Sequence, residues 1–127
     1  MTTTFTEKQH MGQFLILSTL GDFARIEVVI KSGLTLEDGT VLAVDATDAD
    51  KGKEFDNAVP AVAAVAGILY GRVDASLADT KGVMLASNKG SNVVDGSLLN
   101  WKTGVDAAEQ TAAIEAMKAL GFVVENV

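Results

Sequence analysis

Only one stretch of this chain reads as a sustained helix; before it, glycine, aspartate and asparagine cut the sequence into apolar runs of a few residues. Runs of that length suit strands and are too short for packed helices. The expected fold is therefore mainly β, with a single helix near the C-terminus. The helical stretch, residues 107–120 (AAEQTAAIEAMKAL), consists of strong helix formers. Asp106 and Glu109 fit an N-terminal capping box, and Ala113, Ile114, Met117 and Leu120 gather on one side. Lys118 suits the last turn and Gly121 the left-handed position after it. Residues 122–124 return as a final strand.

Upstream, residues 13–20 (QFLILSTL) are apolar on both faces, which predicts a buried strand or one completed by another chain. Residues 25–31 alternate, with Ile26, Val28 and Ile30 on one face and Arg25, Glu27 and Lys31 on the other. Asp38 and Gly39 predict a tight hairpin within 34–45, returning as a strand at 41–44. Residues 45–57 hold four Asp and one Glu without periodicity and read as a surface loop. Across 58–70 the Val62, Val65 and Leu69 spacing would fit a helix, but a turn at Pro60 followed by a buried strand over 65–70 is the preferred reading, because no helical cap follows Tyr70. Residues 74–81 read as a polar connection, 83–86 as a strand and 88–92 as a turn. Leu98, Leu99 and Trp101 are expected to anchor a compact loop sealing one end of the core.

At 127 residues the chain fits one core. The expected division is a flexible arm over 1–12 and a single compact domain over 13–127. The arm offers only Phe5 and Met11 for burial among threonines and charged residues. That pattern suits a segment disordered when free, or a docking strand that orders on a partner. The opening residues lack the pattern of a secretion signal, and no apolar run is long enough for a membrane helix, the longest being 59–70.

Chemistry-bearing patterns are weak throughout. Ten basic against 17 acidic residues give a formal charge of −7, and no basic cluster supports a nucleic-acid groove. Without cysteine there is no disulfide, thiolate metal site or thiol nucleophile. The acidic series Asp45, Asp48, Asp50 and Asp56 lacks the ligand order of a calcium loop, and Lys51 and Lys53 sit within it. Neither Gly21 with Asp22 nor the separated Gly82, Gly90 and Gly96 forms a phosphate-binding loop. The one histidine, His10, lies in the arm, and Ser18, Ser76 and Ser91 have no nucleophile-elbow context. These residues predict no enzyme, no metal and no cofactor. A small-ligand or carbohydrate-binding module is the competing reading, with Tyr70 and Trp101 as its aromatic platforms.

Several segments in order resemble one family. These are HMGQFLI at 10–16, SGLTLEDGTVLAVD at 32–45, GILYGRVDAS at 67–76, NVVDGSLLNW at 92–101 and AAIEAMKALGFVV at 112–124. Each motif is short, but together they resemble the bacteriophage lambda head decoration protein D family over nearly the whole chain. The acidic stretch 45–57 departs from the family pattern by lacking a Gly-Lys-Tyr type of turn.

The resemblance implies a β-clip-like domain, assembled as a homotrimer at three-fold positions of an expanded phage head. It implies binding to the major capsid protein of a tailed bacteriophage and stabilisation of the shell against packaged DNA, with no membrane and no direct nucleic-acid contact. The protein would be made in the host cytoplasm and lie on the outer surface of the virion. Carried onto this sequence, the capsid-binding residues would be Thr4, Phe5 and Thr6 in the arm and Phe14, Leu15 and Ile16 at its root. The expected trimer interface is Pro60, Leu98, Leu99 and Trp101, chosen as leftover apolar surface.

Overall fold

A computed structural model describes residues 14–18, 25–86 and 92–126. The expected arm, Gly21 with Asp22, and most of the turn at 88–92 lie outside these residues. In chain order the strands are β1 (Leu15–Ser18), β2 (Arg25–Ile30), β3 (Leu34–Leu36), β4 (Val41–Asp45) and β5 (Lys51–Glu54). They continue as β6 (Gly67–Tyr70), β7 (Val73–Ala75), β8 (Thr80–Ala86), β9 (Asn92–Asp95) and β10 (Val123–Glu125). One helix, α1 (Ala107–Ala119), precedes β10. The fold is thus mainly β with a single C-terminal helix, as the run lengths predict.

Five strands close a barrel in the order β2, β5, β4, β6, β8. β2 lies antiparallel to β8 along its whole length, from Arg25 opposite Leu85 to Ile30 opposite Thr80. At the other edge of β2 the barrel closes in parallel on β5 through the pair Ile30 and Gly52. Beside the barrel, β3 and β7 form an antiparallel pair. A third sheet has the order β1, β9, β10, with β1 antiparallel and β10 parallel to β9.

The wall β4, β6, β8 separates two cores. Val41, Ile68 and Leu85 face one side, where they pack with Phe14, Phe55, Val94, Leu99 and the α1 residues Ala113, Ile114 and Met117. Their chain neighbours Leu42, Leu69 and Met84 face the other side, joining Val28 and Ile30 of β2 and Leu36, Val73 and Ala75 of the β3–β7 pair. The register agrees, since Ile68 stands opposite Leu85 and Leu69 opposite Met84. Strands buried on both faces read as continuous apolar runs rather than alternating ones. Two glycines permit the close packing. A Cβ on Gly82 would lie 2.7 Å from Val73 Cγ2, and one on Gly67 would collide with the Leu85 carbonyl oxygen.

Three local expectations are corrected. Asp38 and Gly39 do not close a hairpin, because β3 pairs with β7 and not with β4. Gly39 does take the positive φ of 83° that its type favours, but the turn redirects the chain from the β3–β7 pair into the barrel wall. The Asp38 carboxylate is buried there and accepts the Gly71 N–H at 2.7 Å.

Second, residues 45–57 are not one loop. A 3-10 turn (Ala46–Asp48) leads into β5, which pairs with β4 from Leu42 opposite Glu54 to Asp45 opposite Lys51. Periodicity misses β5 because its buried position is Gly52, between two lysines. Third, residues 74–81 are not merely a connection: β7 buries Val73 and Ala75 around the exposed Asp74, and β8 begins at Thr80.

The Pro60 turn and the C-terminal helix are as expected. Pro60 opens a 3-10 turn (Pro60–Val62), and the strand after it is buried. In α1 the Asp106 carboxylate accepts the Glu109 N–H at 2.8 Å, and Gly121 has a φ of 102°. These contacts fix the direction in which the chain enters and leaves the helix.

Candidate functional site

The root of the expected arm is built into the core. Phe14 is fully buried, its ring edge-on to Tyr70 at 6.4 Å, and its carbonyl oxygen accepts the Asp95 N–H at 2.7 Å. Leu15 stands opposite Val94 and is partly buried, while Ile16 contributes its backbone to β1. Phe14 therefore holds β1 against β9. Among the described strands β1 lies at the edge of its sheet, and edges are the places where a further strand can add. Thr4, Phe5 and Thr6 lie outside the described residues.

The four residues expected at a subunit seam are placed differently from one another. Pro60 is exposed, within a run from Ala58 to Ala64 in which only Val62 is buried. Trp101 and Leu98 are partly buried, and Trp101 meets Phe55 edge-on at 6.4 Å. Leu99 is a core residue at 7% exposure, so its side chain is not free surface.

Beside the Pro60 turn lies a concavity of about 500 Å³ that residue-type reasoning missed. Phe55, Ala64 and Val65 line one side, and Ala112, Ala116 and Ala119 of α1 line the other. Its only sequence signals were the alanines on the outer side of α1 and the apolar run at 58–66. Alanine marks neither a core stripe nor a binding site on its own, so neither signal drew attention.

Tyr70 and Trp101 are not joined as a ligand platform. Tyr70 is occupied by Phe14 at its edge and by the Arg25 guanidinium 4.1 Å from its ring centre. Trp101 belongs with Phe55. Neither ring lines the apolar concavity, nor a second, more polar hollow of about 270 Å³. Lys31, Lys53 and Lys102 reach the polar hollow, but each is paired to a carboxylate: Asp48, Asp45 and Asp56 respectively. An anion would find its positive charge already compensated.

The acidic segment is a surface cluster cross-linked by lysines. Lys53 Nζ lies 2.7 Å from Asp45 and 3.1 Å from Asp48, and Lys51 Nζ lies 2.8 Å from Asp79. Lys31 adds a contact to Asp48 at 3.5 Å. Hydrogen bonding from Lys53, then from Thr47, lowers the Asp45 carboxyl from 3.8 to about 2. Lys53 likewise lowers Asp48, and Lys51 lowers Asp79. Among the described residues, no three His, Asp or Glu side chains gather as metal ligands. The lysines occupy the carboxylates that a cation would need.

The model of the family described as Bacteriophage lambda head decoration protein D matches residues 4–122. No curated protein matches the chain.

Proposed function

We infer the function of this chain from the family to which it belongs, the bacteriophage lambda head decoration protein D family. Its role is that of a structural protein of the phage head, not of an enzyme. We propose that it binds the expanded head as trimers at three-fold positions, on the outer surface. There it would clamp the major capsid protein against the pressure of packaged DNA. It would be made in the host cytoplasm before joining the virion. In this reading the barrel and its flanking sheets, residues 13–127, are the β-clip-like decoration domain, and residues 1–12 are the capsid-binding arm.

The observation that carries the reading is the extent of the match, which begins at residue 4 and so takes in the arm as well as the domain. Three features support it. Thr4, Phe5 and Thr6 precede β1, which among the described strands lies at a sheet edge, where a strand can add, and which Phe14 holds from behind. Leu15 and Ile16 follow in that strand. The exposed apolar run at Pro60 and the alanine-lined concavity offer surface for a subunit seam, with Trp101 against Phe55 of its lining and Leu98 partly buried on the same core. Leu99 would support the seam from inside.

Co-sedimentation with expanded and unexpanded shells stripped of the protein tests this directly, for the full chain and for a chain lacking residues 1–12. The expected result is binding to expanded shells only, in multiples of three copies, weakened by loss of the arm. Absence of binding to either shell would overturn the decoration role. Full binding without the arm would overturn the arm's part and leave the folded domain as the attachment surface.

A further inference from the structure

The barrel is unevenly closed. β2 and β8 pair along six residues and β4 and β5 along four, whereas β2 and β5 meet at the single pair Ile30 and Gly52. The Lys31 N–H, donating to the Gly52 carbonyl at 3.2 Å, reinforces that one bridge. The approach depends on glycine: a Cβ at position 52 would lie 2.7 Å from Val28 Cγ2 and 3.0 Å from Ile30 Cδ1.

Charge crosses the gap where the ladder does not. Lys31, at the end of β2, reaches Asp48 in the turn before β5. Asp79, ahead of β8, ties Lys51 of β5 at 2.8 Å to the Ser32 N–H, also at 2.8 Å. Lys53 binds Asp45 and Asp48 together and so stiffens the β4–β5 hairpin as one body. The hairpin is thus internally paired on one side and, on the other, held to β2 by one bridge, the Lys31–Asp48 ion pair and the Asp79 tie.

We propose that the β2–β5 seam is an electrostatic latch: the tip of the β4–β5 hairpin, residues 44–52, can lift away from β2, opening the barrel locally while β4 stays paired to β6 through Val41 and Leu42. The ion pairs and the Ile30–Gly52 bridge hold the latch shut. Neutralising either sign at the Lys31, Asp48, Lys51 and Asp79 crossing releases it. The other charged groups nearby are the exposed Asp50 beside Lys51, Asp45, Lys53, Glu54 and Lys102 around the polar hollow, and Glu27 with Lys81 paired across β2 and β8. The carboxylates that bind Lys51 and Lys53 are held below their usual range, so the latch is charged and closed at neutral pH.

Native-state hydrogen exchange on the full chain tests the latch independently of any shell. In the wild type, the Lys31 and Ser32 amides should open more readily than the Leu69 amide, which donates to Thr40 in the barrel wall at 2.8 Å. Lys51→Met keeps the alkyl stem and removes the contacts to Asp79 and Asp48. It should speed exchange at Lys31 and Ser32 about three- to tenfold, as expected for losing a pair of partly exposed ion pairs, and leave Leu69 unchanged. Gly52→Val should give the same local pattern by forcing β2 and β5 apart. Equal opening of Lys31 and Leu69 in the wild type would overturn the latch. So would a Lys51→Met effect that is absent or equal at all three amides.

Discussion

Single residues at the junctions carry more of this fold than their types suggest. Asp38 lies at 2% exposure where β3 gives way to the barrel wall. Its side chain takes the Gly71 N–H at 2.7 Å, and its backbone carbonyl takes the Asn100 side-chain amide at 2.6 Å. One aspartate thus joins the turns after β3 and β6 to the segment leading to Trp101. Asp38→Ala removes the acceptor and leaves a buried N–H unpaired, which costs about 1–3 kcal/mol. Asp38→Asn retains an acceptor oxygen and is expected to cost less. Urea unfolding of the two variants checks this: a smaller loss for Ala than for Asn would exclude the buried hydrogen bond as the reason aspartate stands there. In the sequence Asp38 looked like an ordinary turn residue beside glycine, because a turn aspartate and a buried tie between segments have the same local signature.

Among the elements, the β4–β5 hairpin has the clearest dependence on pH. Asp45 titrates near 2 in the folded chain against 3.8 for a free carboxyl, because Lys53 and Thr47 bind its charged form. A depressed folded value means that the contribution to stability is complete above 3.8 and is lost as pH falls through about 2. Asp45→Asn should therefore be less stable than the wild type at neutral pH, and the gap should narrow as pH drops through that window. Urea midpoints across the acid range measure it; a gap constant with pH would mean that the Asp45 charge contributes nothing. The same hairpin shows why legibility varied. Helix α1 was readable because its cap, inward residues and terminal glycine are local signals. β5 was not, since Gly52 occupies its buried position and its lysines owe their placement to partners elsewhere in the chain. The concavity beside α1 was equally hidden, because its floor is alanine and its other wall arrives from the Pro60 turn.

At the scale of the whole molecule, the two cores share one wall, and that arrangement makes their stabilities inseparable. In β4, β6 and β8, adjacent residues serve opposite sides: Val41 and Leu42, Ile68 and Leu69, Leu85 and Met84. Neither core can lose its packing without displacing strands that also build the other. This shared wall accounts for the continuous apolar runs that gave the sequence no alternation to follow. Leu42, fully buried on the barrel side, is the most direct place to test the coupling. Leu42→Ala should cost about 2–5 kcal/mol, the usual range for a cavity left by a buried leucine. The single tryptophan, Trp101, packs against the opposite core and reports on that side alone. If the wall couples the cores, the Trp101 fluorescence transition in urea will shift by as much as the far-UV circular dichroism transition, and the two will remain coincident. If the fluorescence transition stays at its wild-type midpoint while the dichroism transition moves, the cores unfold separately and the wall does not transmit the loss.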